Sequence, residues 1–400
     1  MRKIYYNEAI IEDPEINAVC DFIKTKGKRL AYGEEVLKTE KKLADFLGAK
    51  HCLLVNSGSS ANLLAFMSLT SHTLKDFKIK KGDEIITTAL GFPTTISPIV
   101  HYGAVPVFVD VDIVTLNIDI ELMKKALTPK TKAVFIAHTL GCPANINEIV
   151  EFCHDNNLYF IEDCCDALGS LYDNIHVGNF GNIGTLSFYP AHHITCGEGG
   201  AVFTNNTELY KIMRSMRDWG RDYKCMECKW DCKHRFDTGY DCRYTYNHFG
   251  FNLKVTELQA VILDKQIDRL PFITQKRIEN WHKLWNMLYP IPKITFQPYG
   301  SVMIPSPFSF VIKVSPDVNR NDFMQYLENN GIGTRVIFGG NLSKQKMFLE
   351  NNDVQYRISG NLDNTDFIMN NAFFIGCHQG MNDDDINYIA NKIKEFLNNL

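Results

Sequence analysis

Four hundred residues, 45% hydrophobic and 22% charged, suffice for a large buried core and more than one structural lobe. A formal net charge of -4, with no basic stretch interleaved with aromatics, argues against nucleic-acid binding and leaves a soluble enzyme as the expected class. The start of the chain lacks an apolar signal core, and no apolar run approaches the ~20 residues that span a bilayer, so a cytoplasmic protein without a membrane partner is expected. Twelve cysteines in that compartment should be mostly reduced, so clusters of them point to metal or redox sites before disulfides.

In chain order, apolar β-branched runs at 52–55, 84–88, 105–109, 133–137, 159–162, 185–188 and 201–204 read as strands. Helix-like segments at 59–69, 145–156 and 207–217 lie between them. This alternation predicts an α/β fold with a mainly parallel seven-stranded sheet covered on both faces. From Val255 the pattern changes. A helix is predicted over 255–270, Pro271 interrupts or restarts it, and Tyr289-Pro290-Ile291-Pro292 is a break. A strand at 308–314 and helices at 320–329 and 383–398 follow. The expected organisation is a large α/β cofactor-binding domain over 1–255 and a smaller α+β domain over 256–400. Within the first, 218–248 reads as an irregular cysteine-rich insertion, and a loop that long is usually functional or disordered.

Three segments carry chemistry. Asn56-Ser57-Gly58-Ser59-Ser60-Ala61-Asn62 follows a strand and opens a helix, and its small residues expose N–H groups at the positive helix end, as a phosphate cradle requires. An ordinary serine cap after a glycine turn reads the same way. Ile161-Glu162-Asp163-Cys164-Cys165-Asp166-Ala167 closes an apolar strand, where α/β folds bind ligands. A carboxylate there can keep a pyridine nitrogen protonated, or merely cap a helix. Ser187-Phe188-Tyr189-Pro190-Ala191-His192-His193 runs into the turn Gly197-Glu198-Gly199-Gly200. Adjacent histidines alone are more often structural, but between a strand and this turn they are placed for proton transfer.

Together, and in this order, these segments resemble the sugar aminotransferase and dehydratase family of fold-type-I pyridoxal-phosphate proteins. The similarity continues through 82–112 and 250–259 and covers essentially the whole chain. It implies an aspartate-aminotransferase-like fold. It also implies that Gly58, Ser59 and Ser187 bind the cofactor phosphate and that Asp163 pairs with the pyridine nitrogen. Phe92 would stack on the ring, with a core phenylalanine as the competing reading. Asn252 would reach the phosphate of a partner subunit, which implies a homodimer.

Aminotransferases of that family carry Ser-Phe-x-Pro-x-Lys before the Gly-Glu-Gly-Gly turn, and here the lysine position is His192. Imidazole has no primary amine with which to tether pyridoxal phosphate, but it can shuttle a proton. The substitution resembles the dehydratase branch, which removes the C3 hydroxyl of nucleotide-linked 4-keto-6-deoxyhexoses using untethered pyridoxamine phosphate. By that resemblance His192 is the base, Asp166 and Tyr189 assist it, and His193 matters less. A degenerate, inactive aminotransferase is the alternative.

Cys225, Cys228 and Cys232 lie within eight residues of the irregular segment, with Cys242 ten residues further on. Such spacing points to thiolate ligation of iron–sulfur or zinc, with free thiols as the bland reading, and Cys165 is a candidate fourth ligand. The chain most resembles the CDP-4-keto-6-deoxyglucose 3-dehydratases of 3,6-dideoxysugar synthesis. Those carry a 2Fe-2S cluster and take electrons from a flavin and iron–sulfur reductase. Where that subgroup has Arg-Asp-Cys-x-Cys, this chain has Arg221-Asp222-Tyr223-Lys224-Cys225, so Cys228 would substitute, with Cys242 in reserve. Two further readings stand beside this one: a cluster-free dehydratase regenerated by glutamate, and a non-enzymatic metal-binding regulator on the same fold.

Overall fold

The structure is a computed structural model that describes residues 3–27, 30–31, 33–222, 235–237 and 239–400. Its strands are β1 His51–Val55, β2 Glu84–Thr88, β3 Val105–Val109, β4 Thr131–Ala137, β5 Tyr159–Asp163, β6 Leu171–Tyr172, β7 Ile175–His176 and β8 Ile183–Ser187. They continue with β9 Gly200–Thr204, β10 Ile294–Phe296, β11 Met303–Ile304, β12 Phe310–Val314, β13 Thr334–Val336, β14 Arg357–Ile358 and β15 Ala372–Ile375.

The principal sheet has the order β1-β9-β8-β5-β4-β2-β3-β14. Every neighbouring pair is parallel except those of β9, which runs antiparallel to both β1 and β8. Helices cover both faces, so the central strands are buried throughout and read as continuous apolar runs. All seven expected strands form, but the sheet has eight. The extra strand, β14, is two residues long and pairs with β3, too short to leave a periodic trace in the sequence.

Register aligns the functional edge. Val55 and Ser187 both pair with Gly200, and Asp163 pairs with Ala137 on one side and Thr185 on the other. The carboxyl ends of β1, β4, β5 and β8 therefore open on one side of the sheet, where the chain turns into the three chemical segments.

The helix expected to break at Pro271 does not. It runs unbroken over Glu257–Leu288, 32 residues, with Pro271 inside it. Thr256 and Gln259 close a capping box at its start. Its first half buries Ala260, Leu263, Ile267, Leu270 and Ile273 against the principal sheet, and its second half buries Trp281, Leu284 and Leu288 in a second core. An internal proline costs about 3 kcal/mol, and apolar burial on both sides of it outweighs that. The second core backs an antiparallel sheet ordered β10-β12-β15-β13, and Ile4 from the start of the chain joins it through a bridge to Ile332. Among the described residues, no helix is long and apolar enough to cross a membrane.

Candidate active site

A cavity of about 650 Å³ lies over the carboxyl edge of the principal sheet, closed on its far side by Phe308, Arg335, Phe338 and Phe374. One wall is the start of the Gly58–Ser68 helix. Ser57 caps it by accepting from the Ser60 N–H. A Cβ at residue 58 would sit 2.5 Å from Ser187 Cβ and 3.1 Å from Cys165 Sγ, so only glycine lets the helix end approach Ser187 this closely. The N–H groups of the first turn and the Ser187 hydroxyl then form a cradle of the size and polarity that a phosphate needs.

Asp163 stands at the end of β5, buried on the cavity floor. Its Oδ2 accepts from Asn62 Nδ2 at 2.8 Å and Thr95 Oγ1 at 2.7 Å, while Oδ1 accepts from the Cys165 N–H at 3.1 Å. Asn62 accepts in turn from Thr185 Oγ1 at 2.7 Å. Three donors fix the carboxylate and leave it room for one more, which suits a protonated ring nitrogen. Asn62 and Thr95, which hold Asp163, were not singled out by the sequence. Asn62 lies one helical turn beyond Gly58, and that spacing was the signal available.

His192 faces the cavity with its ring 5.4 Å from that of Phe308, and its Nδ1 is 3.6 Å from Asp166 Oδ1. Burial pulls the imidazole down to about 4, so near pH 7 it is neutral and able to accept a proton. Burial, reinforced by Asp163 beside it, pushes the Asp166 carboxyl well above the usual carboxylate range. His193 points away. It is fully buried, bonded through Nε2 to the Ser306 carbonyl at 2.9 Å, and burial holds it neutral. The motif singled out His192 over His193, and the fold places the first ring at the cavity and the second in packing.

Residues 10–394 match the model of the DegT/DnrJ/EryC1/StrS aminotransferase family. The chain belongs to this family. It is similar to the lipopolysaccharide biosynthesis protein RfbH of Salmonella typhimurium, 47% identical over 369 residues, covering 90% of this chain and 84% of that one. It is also similar to a dTDP-4-dehydro-2,6-dideoxy-D-glucose 3-dehydratase of Saccharopolyspora spinosa, 43% identical over 380 residues, covering 92% of this chain and 81% of that one. Among solved structures it resembles GDP-4-keto-6-deoxymannose-3-dehydratase with a trapped PLP-glutamate geminal diamine. There the TM-score is 0.87 and the identity 30%, covering 98% of this chain and all of the other.

The remaining residues singled out by sequence divide as follows. Tyr189 stands half exposed at the rim of the cavity. Phe92 also lines it, is 52% exposed and meets Phe338 edge-on, which removes the competing reading of a core phenylalanine. Asn252 is exposed, bridged through its backbone to Asp218, and does not line the cavity of its own subunit. Cys165 lines the cavity beneath the phosphate cradle, and burial pushes its thiol well above the usual range. Tyr223, Cys225, Cys228 and Cys232 lie outside the described residues, while Cys242 is buried in a short turn.

Among the described residues, one other grouping has metal-ligating chemistry: His138, Glu162 and Cys164. Its atoms are already committed. Glu162 accepts from the N–H groups of Gly178, Phe180 and Gly181 and from His138 Nε2, whereas His138 Nδ1 accepts from the Ala144 N–H. This cluster ties β5 to the segments after β4 and before β8, and the His138 and Glu162 atoms are taken up by those bonds.

Proposed function

We propose that this chain removes the C3 hydroxyl of a nucleotide-linked 4-keto-6-deoxyhexose, with pyridoxamine phosphate as cofactor and His192 as base. The observation that carries the reading is a cavity that gathers Gly58, Ser59, Ser187, Asp163 and Phe92 around a neutral histidine where a tethering lysine would stand. The site fits the cofactor: the helix end at Gly58 with Ser59 and Ser187 would hold the phosphate, Asp163 the ring nitrogen, and Phe92 one face of the ring. Pyridoxamine phosphate supplies a primary amine that condenses with the substrate ketone and a ring that withdraws electrons from it. With the cofactor bound, His192 would take a proton from its 4′-carbon and pass it to the departing C3 hydroxyl, which would leave as water. Asp166, 3.6 Å from Nδ1, orients the imidazole, and Tyr189 positions the sugar at the rim.

CDP-4-keto-6-deoxyglucose is the proposed substrate, in 3,6-dideoxysugar synthesis. The chain is proposed to act as a homodimer in which Asn252 completes the neighbouring phosphate site; its exposure outside its own cavity suits that role. Cys225, Cys228 and Cys232, with Cys165, are the proposed ligands of a 2Fe-2S cluster fed by a flavin and iron–sulfur reductase. The support for this half is the cysteine spacing. A cluster-free enzyme regenerated by glutamate is the second reading, favoured by the glutamate adduct trapped in the GDP-sugar dehydratase.

Anaerobic purification separates the two: a brown protein with about two irons per chain fits the cluster, and a colourless, iron-free protein that needs glutamate removes it. The dehydration itself is tested by incubating the protein, pyridoxamine phosphate and CDP-, GDP- or dTDP-linked keto-sugars. Absence of any 3-deoxygenated or dehydrated product would sink the proposal. His192→Lys should lose most dehydration and gain the absorbance of a lysine-bound cofactor. Dehydration at the wild-type rate would show that His192 is not the base.

A further inference from the structure

Arg277 lies in the middle of the Glu257–Leu288 helix, fully buried and outside the cavity lining. Burial draws its guanidinium only to about 10, so it is charged at neutral pH. Among the described residues no carboxylate pairs with it. Its partners are all neutral: Nε donates to Gln379 Oε1 at 3.0 Å, Nη1 to the carbonyls of Pro307 at 3.2 Å and Phe308 at 3.0 Å, and Nη2 to Asn7 Oδ1 at 3.0 Å. A buried cation without a counter-ion is expensive and calls for a reason beyond packing.

Both ends of this fork lead to His192. Asn7, held by Arg277, donates through Nδ2 to the carbonyl of Ala191, the residue before His192. Asn7 Oδ1 also accepts from the Glu8 N–H at 3.0 Å, so the amide has a single orientation. On the other side, the two carbonyls that Arg277 gathers fix Phe308, whose ring lies against the His192 imidazole. The turn carrying His192 is also held by the His192 N–H on the Tyr189 carbonyl at 2.9 Å and by His193 on the Ser306 carbonyl at 2.9 Å, neither of which touches the imidazole of His192. We infer that Arg277 and Asn7 are positioning residues, which together set where the His192 imidazole stands over the cofactor site through the Ala191 carbonyl and the Phe308 ring. The inference rests on the reading of His192 as the base. A misplacement of about 1 Å in such a group can cost about 100-fold in rate.

Asn7→Asp and Asn7→Leu test it. The aspartate keeps an acceptor for Arg277 and gives it a counter-ion, but cannot donate to Ala191; the leucine removes both contacts. Asn7→Asp should melt at or above the wild-type temperature and Asn7→Leu below it. In both, kcat for dehydration should fall by about 10- to 100-fold, with KM for the keto-sugar and the affinity for pyridoxamine phosphate within about twofold of wild type. A purely structural role predicts the opposite for the aspartate, full activity with full stability. Wild-type kcat in Asn7→Asp overturns the inference. So does a loss of kcat matched by equal losses in substrate and cofactor affinity, or failure of both variants to fold. A readout independent of turnover is the ring ¹⁵N resonance of His192, assigned by its disappearance in His192→Gln. It should be single and sharp in the wild type and broadened or doubled in both Asn7 variants. An unchanged resonance overturns the inference even if the wild type dehydrates none of the keto-sugars, a result that would separately remove the proposed reaction.

Discussion

Asp163, Asn62, Thr95 and Thr185 form a closed hydrogen-bond network on the cavity floor, in which Asn62 uses both ends of its amide. The sequence made Asp163 visible because a carboxylate ending an apolar strand is unusual. It left the other three unmarked, because an asparagine in a helix and threonines in a strand or first turn are ordinary. His192 and His193 mark the edge of that legibility: adjacency alone does not separate them, the lysine position of the motif points to His192, and the Ser306 carbonyl receives His193. Asn62→Ala should leave the Thr185 hydroxyl without its acceptor and Asp163 with one donor fewer. Each such loss in a buried site costs about 1–3 kcal/mol. The expected outcome is a lower melting temperature together with weaker pyridoxamine phosphate binding, read by absorbance titration. A variant with unchanged cofactor affinity would show that the network does not serve Asp163.

Elements were legible where they were long and periodic. The seven principal strands announce themselves because each is buried on both faces, and the Arg320–Asn329 and Asp383–Asn398 helices match their sequence patterns end to end. The failure at Pro271 has a physical cause. Local rules assign proline a cost but cannot see that the same helix is packed on two cores, one on each side of it. Pro271 itself is exposed, so its ring contributes little to either core. Pro271→Ala restores a helical N–H donor at the expense of a looser unfolded chain. It should therefore raise stability by about 1–3 kcal/mol. Denaturant melts should show a higher midpoint at unchanged slope, with dehydration kinetics unaltered. A lower midpoint would mean that the helix requires the bend at this point.

On the scale of the whole molecule, the fold brings chain segments hundreds of residues apart to one place, which sequence patterns cannot convey. Asn7, Arg277, Phe308 and Gln379 meet behind the cavity, and two buried histidines stand among them. His193 bonds the Ser306 carbonyl, and His378 bonds the Tyr5 carbonyl at 3.2 Å. Burial, aided by Arg277, lowers His378 from 6.5 to about 4 and moves His193 in the same direction. The folded protein therefore keeps both rings neutral where the unfolded chain binds protons. Their contribution is complete above pH 6.5 and is lost as pH falls toward the folded value, amounting for His378 to about 3 kcal/mol. The carboxylates held low by ion pairs, such as Glu84 beside Arg357, act only below 4.5 and leave this window clear. Asp166 opposes the trend, because its raised value makes the folded state hold a proton. A comparison with His378→Gln cancels that term, since glutamine can still donate to Tyr5 and does not titrate. Melting temperature measured from pH 8 to pH 5 should be nearly level at first and then decline in the wild type, with a shallower decline in the variant. Parallel curves would mean that His378 is protonated in the folded state, and the buried cluster around Arg277 would have to contain water or an anion to permit it.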